Sequence, residues 1–412
     1  MVTIGRMPRN CKRFFASVRQ HFSAAGFDHF WALVLAISVG QVATLERLAQ
    51  LLGGEHTHRT NHGEFLWRSA WDESLVMQQI AMDTLLLALK RKGGTNEVFL
   101  IFDDTQTIKR ARKMQAVGKI YHHASRVYAK GHTIVKACLF VNGVIIPWGS
   151  WLYIKKEHCE ELNVVFRKLT QIVAQEIRQA PLGSFRVTVL FDAFYLCPVV
   201  AQACAARGWH YISVGKGNRR FTPEPAQECK RLEKYGKNLL HRVGHWRNIQ
   251  GLKRTRSYRV AARRGTLRGL GPVQVVFSRR RGDRSAIALV TSDRRASATK
   301  IVRDYLKRWS IEMLIKDEKQ HLGLGDYRCW RYRAVVRHLH LVDVAYACLT
   351  RLALSEDEQG RKKTKTTPLL LPPIAQLKTR MRRMMWNEAV EDVIKRSHER
   401  PVIRRLEKLL AA

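Results

Sequence analysis

The sequence predicts an α/β protein in which a mixed sheet forms the centre and helices lie at both ends of the chain. Two continuous apolar runs, at 98–102 and 187–191, are typical of strands that are buried on both faces. An arginine-rich segment of short alternating strands, 219–295, separates the second run from a helical stretch at 297–322. These observations predict a core sheet that carries an inserted antiparallel β region.

The N-terminal residues 1–95 are predicted to form a helical DNA-binding domain. Apolar residues recur at helical spacing over 30–37, 44–52 and 65–89, and Gly53-Gly54 ends the second run. Short helices around a basic, histidine-rich turn fit a helix-turn-helix reader and a plain helical bundle equally well, so both interpretations stay open.

Residues 96–218 are predicted to form the first part of the core. Asn142-Gly143 is a strong signal for a two-residue hairpin between two of its strands. The predicted elements are strands at 98–102, 133–141 and 144–153, a helix at 163–180, a strand at 187–191, a helix at 198–207 and a strand at 209–214.

Three further segments complete the predicted organisation. Residues 219–295 form the inserted β subdomain, and 296–355 form the second part of the core, with a helix that ends at Gly323. Residues 356–412 are predicted to be a basic C-terminal helical region, which either dimerises or binds DNA.

The charge of the chain indicates a polyanionic partner. Its 412 residues include 73 Lys and Arg against 34 Asp and Glu, a formal net charge of +39. Such a surplus opposes compaction unless a polyanion neutralises it. Because the basic residues run the whole length, double-stranded DNA is favoured over a membrane surface. No segment reaches the roughly 20 apolar residues that cross a bilayer, so we expect a cytoplasmic protein without a membrane partner.

Carboxylates follow the two buried strands. Asp103 comes after the strand at 98–102, and Asp192 comes after the strand at 187–191. Ligand sites form at strand ends in open α/β sheets, although a lone Asp there usually caps a turn. Asp104 also follows the first strand, and period-2 alternation lets only one of the two neighbours face a site.

A third carboxylate lies on the helix predicted at 297–322. At about 100° per residue, one sector of roughly 60° contains four polar side chains, those of Tyr305, Arg308, Glu312 and Lys319. A neighbouring stripe of Leu306, Trp309 and Met313 is predicted to pack on the sheet. A solvated Arg308–Glu312 ion pair explains this face alone, but it does not account for Asp103 and Asp192.

Three carboxylates can hold two hard divalent ions that activate a water or a 3′-hydroxyl and stabilise the leaving oxygen at phosphorus. Mg²⁺ suits such a site because it prefers oxygen ligands, with Mn²⁺ as a substitute. We expect Arg308 and Lys319 to grip the phosphate beside the scissile bond, and Tyr305 to hydrogen-bond it or pack beneath a sugar.

The spacing Tyr305-x2-Arg308-x3-Glu312-x6-Lys319 resembles the YREK signature of bacterial cut-and-paste DDE transposases of the insertion-sequence-four group. Residues 102–105 resemble the first Asp motif of that family and 190–192 resemble the second, and the resemblance covers about 30–350. Since the family pattern is Asp-x-Thr/Ser, it favours Asp103 over Asp104 as the first ligand.

The resemblance implies an RNase H-like core with a β insertion, and Asp103, Asp192 and Glu312 as catalytic and metal-binding residues. It also implies Mg²⁺ and a homodimer that pairs the terminal inverted repeats of a transposon. Members cut through a hairpin intermediate and join the freed end to target DNA. A bacterial protein of this kind would be associated with the nucleoid.

Three further residues are candidates for DNA contact. Lys216 and Asn218 lie just past a core strand, where the family has basic contacts to DNA and where a plain surface loop is the competing interpretation. The family also has an aromatic residue in its β insertion that receives a flipped base. Trp246 is the only Trp in 219–295, although core packing is the favoured interpretation of it.

The glycine loop at 215–218 lacks Walker spacing, so no nucleotide cofactor is expected. Two alternatives to a transposase remain: a transposase-derived DNA-binding protein without catalysis, and an RNase H-like nuclease without strand transfer.

Overall fold

The computed structural model describes residues 7–52, 58–90, 95–111, 113–122, 125–225, 228–360 and 371–395. The predicted stop at Gly53-Gly54 lies outside these residues. Within them, no helix is long and apolar enough to cross a membrane.

Among the described residues, five α-helices precede the sheet, and side chains cap most of their N-termini. Ser23 and Thr44 accept hydrogen bonds from backbone N–H groups three residues further on, and Asp72 accepts from two. The cap at Asp72 divides the predicted run at 65–89 into two helices. The five are α1 (Arg9–Phe15), α2 (Ala24–Val39), α3 (Leu45–Leu51), α4 (Arg59–Arg68) and α5 (Glu73–Leu89).

A twelve-stranded mixed sheet forms the centre of the molecule, in the order β2-β3-β1-β5-β6-β12-β11-β10-β7-β8, with β4 on β3 and β9 on β10. The pairs β1–β5 and β5–β6 are parallel, and the other pairs are antiparallel. The strands are β1 (Glu97–Ile108), β2 (Gly118–His122), β3 (Val127–Val141), β4 (Val144–Tyr153), β5 (Arg186–Phe191), β6 (His210–Gly215), β7 (Arg220–Pro223), β8 (Lys230–Arg231), β9 (His245–Gln250), β10 (Thr255–Leu267), β11 (Gly271–Arg280) and β12 (Ile287–Thr291).

The turn between β3 and β4 is the predicted hairpin. Asn142 and Gly143 have φ values of 49° and 81°, the left-handed conformation that a two-residue turn of this kind requires. Gly143 supplies it without steric cost, which fixes the register of two largely buried strands.

The inserted β region extends the core sheet instead of forming a separate one. Strand β12 pairs antiparallel with the core strand β6, and β11 and β10 continue the sheet outward. The sequence did not predict the helix α9 (Leu232–Val243), which packs on β10 and β11. The domain boundaries given above stay predictions.

Helices cover the sheet. The long helix α12 packs against β4, α5 and α2, and α7 packs against α8. The helices that follow β4 are α6 (Lys156–Cys159), α7 (Leu169–Gln179), α8 (Pro198–Ala206), α9 (Leu232–Val243), α10 (Ala298–Leu306), α11 (Trp309–Asp317), α12 (Tyr332–Gly360) and α13 (Ile374–Lys395).

The continuous helix predicted at 297–322 is wrong. Helix α10 ends at Leu306, α11 begins at Trp309, and a π-helical segment follows at Glu318–Leu322 and ends at Gly323, which has a φ of 69°. The predicted apolar stripe is also wrong in part, because Trp309 is 58% exposed. The apolar side chains that α11 buries fully are those of Ile311 and Leu314.

Helix α7 buries a carboxylate that makes stability depend on pH. Burial, opposed by Arg167, raises the pKa of Glu176 from 4.5 to about 7. The folded state therefore binds a proton more tightly than the unfolded chain does. The resulting stabilisation is complete below pH 4.5 and is lost as the pH rises through about 7.

We expect Glu176→Gln to stabilise the protein relative to wild type increasingly between pH 4.5 and 7, by up to about 3 kcal/mol. Urea unfolding of both proteins at pH 5 and pH 8 measures the difference. A gap between the two proteins that does not grow with pH would show that Glu176 is not held neutral in the folded state.

Candidate active site

Two parallel strands bring the first two carboxylates together. Strands β1 and β5 pair in parallel up to Ile101 and Leu190, and Asp103 and Asp192 each follow that last pair by two residues. Neighbouring strands lie about 4.8 Å apart. Strand β1 continues past Asp103 on β3, so Asp103 lies where β1 leaves β5 and not at the strand end that the sequence predicted.

Asp103 and Asp104 face opposite sides of the sheet, as alternation requires. The Oδ2 atom of Asp103 accepts a hydrogen bond from Nη1 of Arg308 at 3.2 Å. The Oδ1 atom of Asp104 accepts one from the hydroxyl of Tyr195 at 2.9 Å. Asp103 is therefore the neighbour that faces the helix carrying Glu312.

Arg308 joins the carboxylates of the sheet and the helix. Besides Asp103, its guanidinium donates through Nη2 to Oε1 of Glu312, one turn further along the chain. The break between α10 and α11 lies at Lys307 and Arg308, so this guanidinium is presented from the turn. The predicted pair of Arg308 and Glu312 exists, but it is half-buried and contacts Asp103, unlike a solvated surface pair.

The electrostatics of this cluster favour a cation. Burial is the largest cause that raises the pKa of Asp103, from 3.8 to about 6. Arg308 and the backbone N–H of Asp104 oppose the shift, while the charges of Asp104 and Asp192 add to it. A buried carboxylate beside like charges is stabilised by any additional positive charge.

Tyr305 and Lys319 lie on the same side. The Cζ atom of Arg308 lies 5.8 Å from the ring centre of Tyr305, and burial raises the pKa of this tyrosine to about 12. Nζ of Lys319 donates to the backbone oxygen of Gln106 at 2.9 Å. A cleft of about 500 Å³ is lined by Asp103, Glu312 and Lys319, among other residues.

The side chains of Asp103, Asp192 and Glu312 fit a hard divalent cation, since all three offer carboxylate oxygens. As the side chains stand, however, no three His, Cys, Asp or Glu among the described residues converge closely enough to hold a metal. Arg308 draws Glu312 onto its own guanidinium. Arg308 thus contacts oxygen atoms of both Asp103 and Glu312 that a cation would otherwise bind.

The remaining candidates lie at the surface. Lys216 and Asn218 are exposed in the loop after β6. Oγ of Ser213, on that strand, donates to the backbone oxygen of Asp192, which puts the loop at the carboxylate end of the sheet. Core packing of Trp246 is wrong: it lies on β9, is 42% exposed, and has the guanidinium of Arg281 5.2 Å from its ring centre.

One cluster beside the site was not predicted. Lys136, Glu318 and Asp343 are fully buried, and Lys136 forms an ion pair with each of the two carboxylates. The available signal was a lysine within the apolar run of β3, where an unpaired charge would be costly. Nothing in the sequence indicated that its partners come from α12 and from the π-helical segment.

A known protein family matches much of the chain. The family of DDE superfamily endonucleases matches residues 30–269, more than half of the chain. The match includes Asp103 and Asp192 and ends before Glu312. No curated protein has a significant match to the chain. The large mixed sheet with flanking helices is the predicted fold and is consistent with an RNase H-like DDE nuclease core. The chain belongs to the DDE superfamily endonucleases.

Proposed function

We propose that this protein is a DDE transposase that cuts DNA at the ends of a mobile element and joins them to target DNA. The observation that carries the proposal is the double contact of Arg308. It brings Glu312, from the helix after the β insertion, to Asp103, while Asp192 follows the last β1–β5 pair by two residues, as Asp103 does. Asp103 and Glu312, from separate parts of the chain, thus line one cleft, and the charge of Asp192 acts on Asp103.

The proposed ligands are Asp103, Asp192 and Glu312, which would hold two Mg²⁺ ions or, as a substitute, Mn²⁺. When bound, such ions activate a water or a 3′-hydroxyl and stabilise the leaving oxygen. Once Glu312 has left it, Arg308 can offer its guanidinium fork to the phosphate beside the scissile bond. Lys319 adds a second positive charge at the cleft, and Tyr305 positions the phosphate or packs beneath a sugar.

The surface supports a DNA substrate. The formal charge of +39 favours phosphate binding and predicts strong salt dependence. Lys216 and Asn218 are exposed in the loop after β6, a strand whose Ser213 contacts the backbone of Asp192, and they would contact DNA there. Exposed Trp246 beside Arg281 presents an aromatic face with a cation over it, an arrangement that stacks an unpaired base.

The finer assignment rests on the YREK spacing. We place the protein in the insertion-sequence-four group, which implies terminal inverted repeats, a homodimer that pairs them, and a hairpin intermediate. A DNA-binding protein without catalysis is disfavoured because all three carboxylates are present. A nuclease without strand transfer is the remaining alternative.

We expect Glu312→Gln to lower Mg²⁺- or Mn²⁺-dependent strand cleavage at least about a hundredfold, because losing a metal ligand removes several kcal/mol of stabilisation. Binding to the same DNA should stay within about twofold. The substrates are duplexes containing the DNA that flanks the gene, with gel shifts in Ca²⁺ for binding. If wild type and variant cut equally well, Glu312 is not a ligand.

A matched pair of variants separates the two neighbouring aspartates. Asp103→Asn should abolish cleavage, because Asp103 faces Arg308 and Glu312. Asp104→Asn should retain most activity, since an amide oxygen still accepts the hydrogen bond from Tyr195. Nicking rates of the two variants on one DNA measure the difference. The reverse ranking would move the ligand to Asp104.

Strand transfer distinguishes a transposase from a plain nuclease. Duplex ends prepared with a free 3′-hydroxyl, mixed with a supercoiled plasmid and Mg²⁺, should become covalently joined to the plasmid. Glu312→Gln is the control and should give no joined product. Nicked plasmid without joined ends from the wild-type protein would favour the nuclease.

A further inference from the structure

We propose that the buried cluster of Lys136, Ser150, Glu318 and Asp343 positions Glu312 and Lys319 in the cleft by fixing the rotation of the helical segment that carries them. We call these four residues the buried cluster. The inference rests on the proposed function, because it assigns positioning residues to the proposed reaction.

A single row of side chains crosses the sheet from the cleft to the buried cluster. Asp103 on β1 lies directly opposite Lys136 on β3, and Lys136 lies directly opposite Ser150 on β4. Directly opposed residues of antiparallel strands point to the same face. Asp103 is 21% exposed at one end of this row, whereas Lys136 and Ser150 are fully buried.

The segment α11 and its π-helical continuation meet this row twice. Glu312 reaches Asp103 through Arg308 at the exposed end. Six residues later, Glu318 reaches Lys136, with 2.7 Å between Oε2 and Nζ. Two contacts along one row leave the segment no freedom to slide across the sheet.

Because Lys136 holds Glu318, helical geometry determines the directions in which Glu312 and Lys319 point. At about 100° per residue, Glu312 and Glu318 point about 120° apart, whereas Glu312 and Lys319 differ by only about 20°. With Glu318 directed onto the sheet, Glu312 and Lys319 are both turned towards the cleft, where both line its wall. A rotation that released Glu318 would carry both of them away.

Helix α12 supplies the last member of the buried cluster, Asp343. Asp343 accepts hydrogen bonds from Nζ of Lys136 and, at 2.6 Å, from Oγ of Ser150. Nζ of Lys136 also donates to Oγ of Ser150 at 2.8 Å. Four elements therefore meet in the buried cluster. They are strands β3 and β4, the segment with Glu318 and helix α12.

Stability alone does not explain this arrangement. Burying charged groups costs several kcal/mol for each ion, and apolar residues of similar volume often replace a buried ion pair without loss of stability. Hydrogen bonds differ from apolar contacts in being directional, and those of Lys136 and Ser150 to Asp343 hold in place the ammonium group that pairs with Glu318. Directionality is what a helix needs if its rotation is to be fixed.

The test compares two matched conservative variants and one apolar variant. Glu318→Gln weakens the buried cluster, and Glu73→Gln weakens a different ion pair away from the row, between partly exposed Glu73 and buried Arg337 on α12. The apolar variant combines Lys136→Met, Ser150→Ala, Glu318→Met and Asp343→Leu, so that no unpaired charge stays buried if Glu318→Gln fails to fold.

Amide exchange and binding of Mn²⁺ alone are the readouts, with cleavage beside them. We expect residues 309–322 to exchange at least about tenfold faster in the apolar variant and in Glu318→Gln than in Glu73→Gln. Mn²⁺ binding, followed by electron paramagnetic resonance, should weaken about tenfold and cleavage should fall similarly, with DNA binding unchanged. Unaltered exchange and Mn²⁺ affinity in a folded apolar variant would overturn the inference.

The outcomes also separate this inference from the proposed function. If the wild-type protein neither binds Mn²⁺ nor cuts DNA, the proposed function fails. Amide exchange then decides whether the buried cluster holds the segment. If Glu312→Gln abolishes cleavage while the apolar variant cuts at the wild-type rate, the proposed function stands and the positioning role is wrong.

Discussion

Lys136 is a fully buried cation in the middle of a β-sheet, and the elements around it supply the charges that neutralise it. Glu318 comes from the segment after α11, and Asp343 comes from α12, so the lysine specifies which helices cover this face of the sheet. Removing one partner would leave Lys136 paired with the other, whereas removing Lys136 would leave two carboxylates without their cation in the interior. The sheet, the helical segment and the cleft at their margin are therefore linked through one ammonium group.

The parts of the fold that follow from local patterns were predictable. Buried strands such as β1 and β5 have continuous apolar sequences. The turn at Asn142-Gly143 is fixed by two residues that accept positive φ. The break between α10 and α11 was not predictable, because the helical periodicity of the polar residues continues through it. It exists because the turn lets Arg308 reach Asp103 on the sheet, a contact that helical spacing cannot reveal.

The sequence predicted which residues form the site better than it predicted the contacts between them. Spacing alone placed Tyr305, Arg308 and Glu312 together, and the structure does bring them together through a turn instead of a continuous helix. Lys319 lies on the same side, since it lines the cleft together with Asp103 and Glu312. The exposed position of Trp246 depends on β9 being an outer strand, which is a property of sheet order and not of local sequence.

The contacts of Arg308 have a thermodynamic consequence under the proposed assignment. One guanidinium neutralises Asp103 and Glu312 in the protein alone, so cations at the carboxylates and a phosphate at the arginine each displace the same pair of bonds. Whichever ligand binds first breaks these bonds, so the second ligand binds without that cost in free energy. The affinities of the two ligands are therefore reciprocally coupled. A protein built in this way is most receptive to metal when DNA is already in place, which restrains its reactivity away from its substrate.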